Sequence, residues 1–228
     1  QDAGLAARLL KLANSSWMGL RTQVTSIQRA VTLLGRTQVR QICLGNSVWT
    51  TLKPLAAKSR FNLEGFELHS LVCAEVAQDL SKHAKGIEAE DVYAAALLHD
   101  IGKFLMLTFE GEAYGQAIAE ANEHKRDLND VELEIFGWSH SMLGGWFAEH
   151  WGLPATVQEA ARWHHAPDQV ADHPNGPLVG FVAVANSLLK VVKVGDSGNS
   201  IVQPVGGILP SLNLTPQHLQ LVAEKLKG

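Results

Sequence analysis

Apolar residues recur at three- and four-residue spacing along almost the whole chain, as in helices with one buried face. Leu5, Leu9, Leu10 and Leu12 open the first run. Thr25-Ser26-Ile27-Gln28 has capping-box form, Ile27, Val31 and Leu34 follow at helical spacing, and Gly35 stops that helix. Thr37 caps the next, with Val39, Ile42 and Cys43 inward. Residues 51–65 lose the periodicity and contain Pro54 and Gly65, so they read as a connection. From Phe66 a helix carries Leu68, Val72, Val76 and Leu80 and ends before Gly86. Glu88, Glu90 and Asp91 suit the start of a nearly all-apolar helix, Val92 to about Asp100, which Gly102 ends or bends. This is the expected central helix. Further helices are predicted over 111–124, from the capping-box candidate Asn129–Glu132 to Gly137, from His140 to Trp151, and from Pro154 to His165. Residues 166–177 form a loop, Leu178 to Val194 is strongly apolar, 195–211 is rich in Gly, Ser and Pro, and Thr215-Pro216 opens a last helix. No repeat or β hairpin is evident. The predicted fold is all-α: a multi-helix bundle in which an N-terminal helical subdomain, 1–60, packs on a larger helical unit, 61–228.

At 228 residues the chain can bury a real core. No stretch of about 18 purely apolar residues occurs, which argues against membrane insertion. No signal peptide is recognisable, and Cys43 and Cys73 read as buried reduced thiols, so a cytoplasmic location is expected. The net charge of −4 argues against a nucleic-acid binder, even though Arg29, Arg36 and Arg40 make 25–48 a basic helix pair. Trp138, Trp146, Trp151 and Trp163 are expected to pack in the core, and Trp17 and Trp49 to help bury the contact between the two halves.

Ten histidines stand against 19 lysines and arginines. His99-Asp100, at the end of an apolar helix, is costly unless paired, hydrogen-bonded or metal-bound. His69, His140, His164 and His165 lie on other predicted helices, and helical proteins build core metal sites from such residues. Imidazole with carboxylate suits Fe, Mn, Zn or Ni, as one ion or two. Such ions lower the pKa of a bound water and polarise a phosphoryl oxygen. A metal-free polar network joining the same side chains is the alternative. Lys103 could meet a phosphate, or complement a helix end as a solvated lysine. His83, His124, His150, His173 and His218 read as surface residues.

The order His69, His99-Asp100, His140, His164-His165 resembles the HD superfamily of metal-dependent phosphohydrolases. The finer resemblance is to its HDOD branch, carried by ARLLKLANSSWMG (7–19), VTSIQRAVTLLG (24–35), FELHSLVCAEVAQDL (66–80), AALLHDIGK (95–103), GWSHSMLGGWFAEHWGLP (137–154) and ARWHHAP (161–167). It spans about residues 1–195 and implies an HD-type helical domain behind the N-terminal half. The branch's usual opening stretch is missing before Asp2, so an N-terminal truncation is expected. The resemblance implies His69, His99, Asp100, His140, His164 and His165 as metal ligands, with Asp100 and Lys103 in any catalytic role. The superfamily's last aspartate matches Asn186 in FVAVANSLL (181–189), which implies a weakened site. After His164-His165 the chain reads APDQVADHPNGP, without the GYP extension of cyclic di-GMP phosphodiesterases. Ile101-Gly102-Lys103-Phe104 stands where alarmone hydrolases carry Glu-Asp. The branch's regulatory tendency implies a signalling module that acts through signalling protein partners, fused signalling domains or a small ligand. The alternative is a phosphohydrolase acting on a nucleotide or other phosphorylated small molecule.

Overall fold

The computed structural model describes residues 3–14, 18, 20, 22–36, 39, 43 and 61–227. Thr37, Ile42, Arg40, Trp17, Trp49, Asp2 and the connection over 51–60, all singled out above, lie outside the described residues. Eleven helices can be numbered, with no strand among the described residues. They are α1 (Ala3–Ala13), α2 (27–36), α3 (Leu63–Ser81), α4 (Ala89–Leu98), α5 (Gly102–Glu110), α6 (Glu112–Glu123), α7 (Leu128–Phe136), α8 (His140–His150), α9 (Ala155–Trp163), α10 (Gly176–Val192) and α11 (Pro216–Lys227).

The core divides in two. A small cluster joins Leu9, Leu12 and Ala13 of α1 to Val24, Ala30 and Leu34. Asn14 clasps the connection, accepting from Val24 N at 2.6 Å and donating to Val24 O at 2.8 Å. The large cluster runs from Phe66 to Leu226 and includes the apolar faces of α3, α4 and α10. Helix α3 packs on α4 and α10, α4 on α9, α5 on α8, and α8 on α9. Half-buried Met18 touches both clusters.

Several boundaries differ from the sequence expectation for identifiable reasons. Helix α3 starts three residues before Phe66, because Asn62 caps it by accepting from Gly65 N at 3.0 Å. The expected central helix stops at Leu98, two residues before its expected end; residues 99–101 form a turn, and α5, which the sequence reading does not contain, starts at Gly102. The run Ala89–Glu110 is long and apolar enough to cross a membrane, yet 72% of its most apolar 18-residue stretch is buried inside the protein. Its apolarity serves the core. Helix α7 begins after Asp127, whose side chain accepts from Asn129 N at 2.8 Å, so Asn129–Glu132 is not its cap. The expectation of core tryptophans fails at three positions: Trp138, Trp146 and Trp151 are 42%, 54% and 69% exposed. Met142 and Trp146, four residues apart, place exposed apolar side chains on the outer face of α8, and Trp138 is exposed just before its start.

One crossing positions the site. A Cβ on Gly102 would lie 1.8 Å from His140 O, and one on Gly144 would lie 3.2 Å from Gly102 N. Glycine at both positions lets α5 and α8 meet backbone to backbone. That contact brings the turn after α4 against the start of α8.

Candidate metal centre

Three helix ends deliver five ligand-type side chains. His99 and Asp100 follow α4, His140 opens α8, and His164 and His165 follow α9. His69 and Asn186 lie within α3 and α10. His69, His99, Asp100, Lys103, His140, His164 and Asn186 are all buried, and His165 is half-buried. Of the remaining histidines, His83, His124, His150 and His173 are exposed. Half-buried His218 stacks on His83, ring centroids 4.2 Å apart.

The hydrogen bonds define which ring nitrogens face inward. His99 Nδ1 lies 2.7 Å from Ala96 O, and His164 Nδ1 lies 3.0 and 3.1 Å from Ala160 O and Ala161 O. A carbonyl only accepts, so both Nδ1 atoms carry hydrogen and both rings turn Nε2 inward; His164, held well below its ordinary value by burial and by His165, presents an Nε2 lone pair. Those Nε2 atoms stand 3.3 Å from Asp100, His99 on Oδ2 and His164 on Oδ1. Neither Nε2 has a hydrogen-bond partner, nor has Asp100 Oδ1. Lone pairs facing a carboxylate repel one another unless positive charge lies between them. This is the observation that makes the residues fit a cation.

His140 completes the arrangement. Its Nε2 is 3.3 Å from Asp100 Oδ1 and 3.1 Å from His165 Nε2. Its Nδ1–H donates to Glu132 Oε2 at 2.6 Å, and its backbone N–H donates to the same oxygen at 2.7 Å. Tyr114 Oη donates to Glu132 Oε1 at 2.8 Å. The liganding atoms of Asp100, His140, His164 and His165 lie within 4.8 Å of one another, as do those of His69, His99 and Asp100. Asp100 is common to both groups.

Local electrostatics also favour a positive charge. Burial works against ionising Asp100, but Lys103 and His99 beside it hold its carboxyl well below the usual range. Burial acts downward on His140, yet Glu132 and Asp100 carry it above its ordinary value. His164 is held well below that value by burial and by His165. Burial and His99 push His69 down to about 3, and burial takes His165 to about 4 against the pull of Asp127. The proton-holding ring, His140, thus sits where the ligand atoms meet.

Lys103 is neither solvated nor at a helix C-terminus. It lies in the first turn of α5, 1% exposed, and donates to Asp100 Oδ2 at 2.6 Å and to Ser197 O at 2.8 Å. As placed, its ammonium shares Oδ2 of Asp100 with His99 and leaves Oδ1 to His140 and His164. Asn186 Oδ1 lies 3.0 Å from His69 Nε2 and offers that ring a dipole rather than a charge.

Two participants escaped the sequence reading, Glu132 and Asp127. Glu132 reads in the sequence as part of a cap, and its detectable signal is its place eight residues before His140. Asp127 Oδ2 lies 3.4 Å from His165 Nδ1 and accepts from Gln203 at 2.6 Å. Both carboxylates back a histidine on the side away from Asp100, as outer partners of metal-ligating histidines do.

A sequence model of the HDOD domain matches residues 1–167. An uncharacterized protein of Treponema pallidum (strain Nichols) is 26% identical over 204 residues, 83% of this chain and 36% of that protein. The chain therefore spans about a third of that relative's length. An HDOD domain protein of unknown function from Geobacter sulfurreducens is 26% identical, with TM-score 0.71 over 99% of this chain and 73% of that one. A candidate signal transduction protein from Marinobacter aquaeolei VT8 shares the fold at 20% identity and TM-score 0.73, over 99% of this chain and 50% of that one.

Proposed function

We propose that this chain, which belongs to the HDOD domain family, is a signalling or regulatory module that holds a divalent metal in its core and works through protein or small-ligand contacts. His99, Asp100, His140 and His164 would hold the ion, with His165 and His69 at either side. Glu132 and Asp127 would orient two of the rings. When bound, such an ion can lower the pKa of a water and polarise a phosphoryl oxygen.

The observation that carries the regulatory reading is the closure of the centre. His99, Asp100, His140 and His164 are at most 2% exposed, and Lys103 occupies the second oxygen of Asp100. Closed, fully protein-ligated metal sites are structural, whereas catalytic ones keep a position open to substrate. Asn186 supports the same reading, since an amide adds no charge to hold a second dication.

One feature favours a second reading, a metal-dependent phosphohydrolase. His69 lines a cleft with Lys190 and Ser197, and this gives the centre one accessible side. Lys103 would then leave Asp100 to meet a phosphate. A phosphoesterase panel run with Mn and Fe separates the two. The regulatory reading expects bound metal without turnover. Hydrolysis abolished by Asp100→Ala would overturn it.

A further inference from the structure

We propose that the cleft between the end of α10 and the glycine-rich loop 195–200 binds a small phosphate-bearing ligand through Lys190 and Lys193. This rests on the small-ligand half of the function proposed above and names the ligand's chemistry. The cleft has a volume of about 290 Å³, and its lining includes Lys190, Lys193, Asn122, Ser197, Asn199 and His69. That is near the lower end of the roughly 300–1,000 Å³ typical of small-molecule sites.

Its charge is unbalanced. Among the described residues neither Lys190 nor Lys193 forms an ion pair or side-chain hydrogen bond. The carboxylate on the same lining, Asp196, is engaged elsewhere: Oδ1 accepts from Gly198 N at 2.8 Å and Oδ2 from Asn62 Nδ2 at 3.2 Å. Lys103 adds a third positive charge nearby and spends its hydrogens on Asp100 and Ser197. Lys190 is half-buried, and burial, with the repulsion of Lys103, pulls it down to about 8 against the attraction of Asp100 and Asp127, neither of which pairs with it. An ammonium held away from water without a counter-ion costs free energy that an anion would recover. Two ammoniums on one small cleft, Lys190 half-buried and Lys193 exposed, match a phosphate monoester, which approaches two negative charges near pH 7. A carboxylate would leave one of them unpaired.

The cleft is also mechanically joined to the centre. Gly195 has φ +71°, and a Cβ there would lie 2.4 Å from His69 N, so the loop rests on the backbone of His69. Ser197 O, on the same loop, accepts from Lys103. Occupancy of the cleft therefore bears on two residues that adjoin Asp100.

Isothermal titration of the full chain with inorganic phosphate, and separately with adenosine 5′-monophosphate, tests the proposal, with metal content recorded for each preparation. Both probes should bind. Lys190→Gln and Lys193→Gln should each weaken phosphate binding at least ~10-fold, the effect of losing one charge-assisted contact, with metal content unchanged. Lys190→Met, which removes an unpaired half-buried charge, should raise the melting temperature of the ligand-free protein. Tighter binding of the nucleotide would place its nucleoside in the remaining volume, and equal binding would assign the cleft to the phosphate group alone; either supports the proposal. Absence of binding by both probes, unchanged phosphate affinity in both variants, or destabilisation by Lys190→Met would overturn it. The two readings fail separately. Metal-replete protein that ignores phosphate removes the cleft and keeps the centre. Metal-free protein that binds phosphate through these lysines does the reverse.

Discussion

Glu132 shows how a buried carboxylate can serve a site without entering it. It is 0% exposed, and its two oxygens accept from Tyr114 and from both the ring and the backbone of His140. That grip leaves Nε2 of His140 as the atom offered to Asp100. Glu132→Gln keeps the shape and removes the charge, so metal affinity should fall about 10–100-fold, as for other outer partners of ligating histidines. A competition titration against a chelator reads this, and an unchanged affinity would remove Glu132 from the account. Asn186 makes the opposite case. Asn186→Asp would set a carboxylate 3.0 Å from His69 Nε2, and metal binding on the His69 side should strengthen. If the affinity does not move, the amide is not what weakens the site.

The crossing of α5 and α8 depends on two glycines. Gly102→Ala forces a Cβ into the carbonyl of His140, so the helices must part. We expect a loss of about 1–3 kcal/mol from overpacking, together with reduced metal content, because His140 moves away from Asp100. Gly115 of α6 has open space around its Cβ position, so Gly115→Ala should be neutral or stabilise by up to about 1 kcal/mol. Chemical denaturation of the two variants compares them directly. Helix existence was readable from apolar spacing wherever a cap or glycine marked an end, as for α2, α6, α8 and α11. It missed α5, which starts on a glycine and has no side-chain cap. The His-Asp pair sits at a helix terminus. There His99 Nε2 and Asp100 Oδ2 stand 3.3 Å apart.

Packing of α3, α4, α8, α9 and α10 gathers side chains up to 117 positions apart in sequence, such as His69 and Asn186. The order of the histidines and the resemblance built on it made this set legible. The supporting carboxylates were not legible, because an acid at a helix start looks like a cap whichever way it turns. The same burial sets the response to pH. His69, His164 and His165 take up protons less readily when folded than the ordinary value of about 6.5 allows. Between that value and about 4 the unfolded chain binds more protons, so stability falls as pH falls. The lowered carboxyls of Asp100 and Asp127 add a further loss below about pH 3.9, and raised His140 works the other way as pH rises through its own value. The melting temperature of metal-free protein should decline from about pH 6.5 to about 4, followed by circular dichroism. A flat profile would contradict neutral buried imidazoles.

The central claim is that His99, Asp100, His140 and His164 together hold a divalent cation. Elemental analysis of protein purified without chelator, beside Asp100→Ala prepared identically, tests it most directly. The parent chain should hold a stoichiometric amount of Fe, Mn, Zn or Ni, and the variant should lose it. A folded parent chain that stays metal-free after incubation with each of these ions would contradict it.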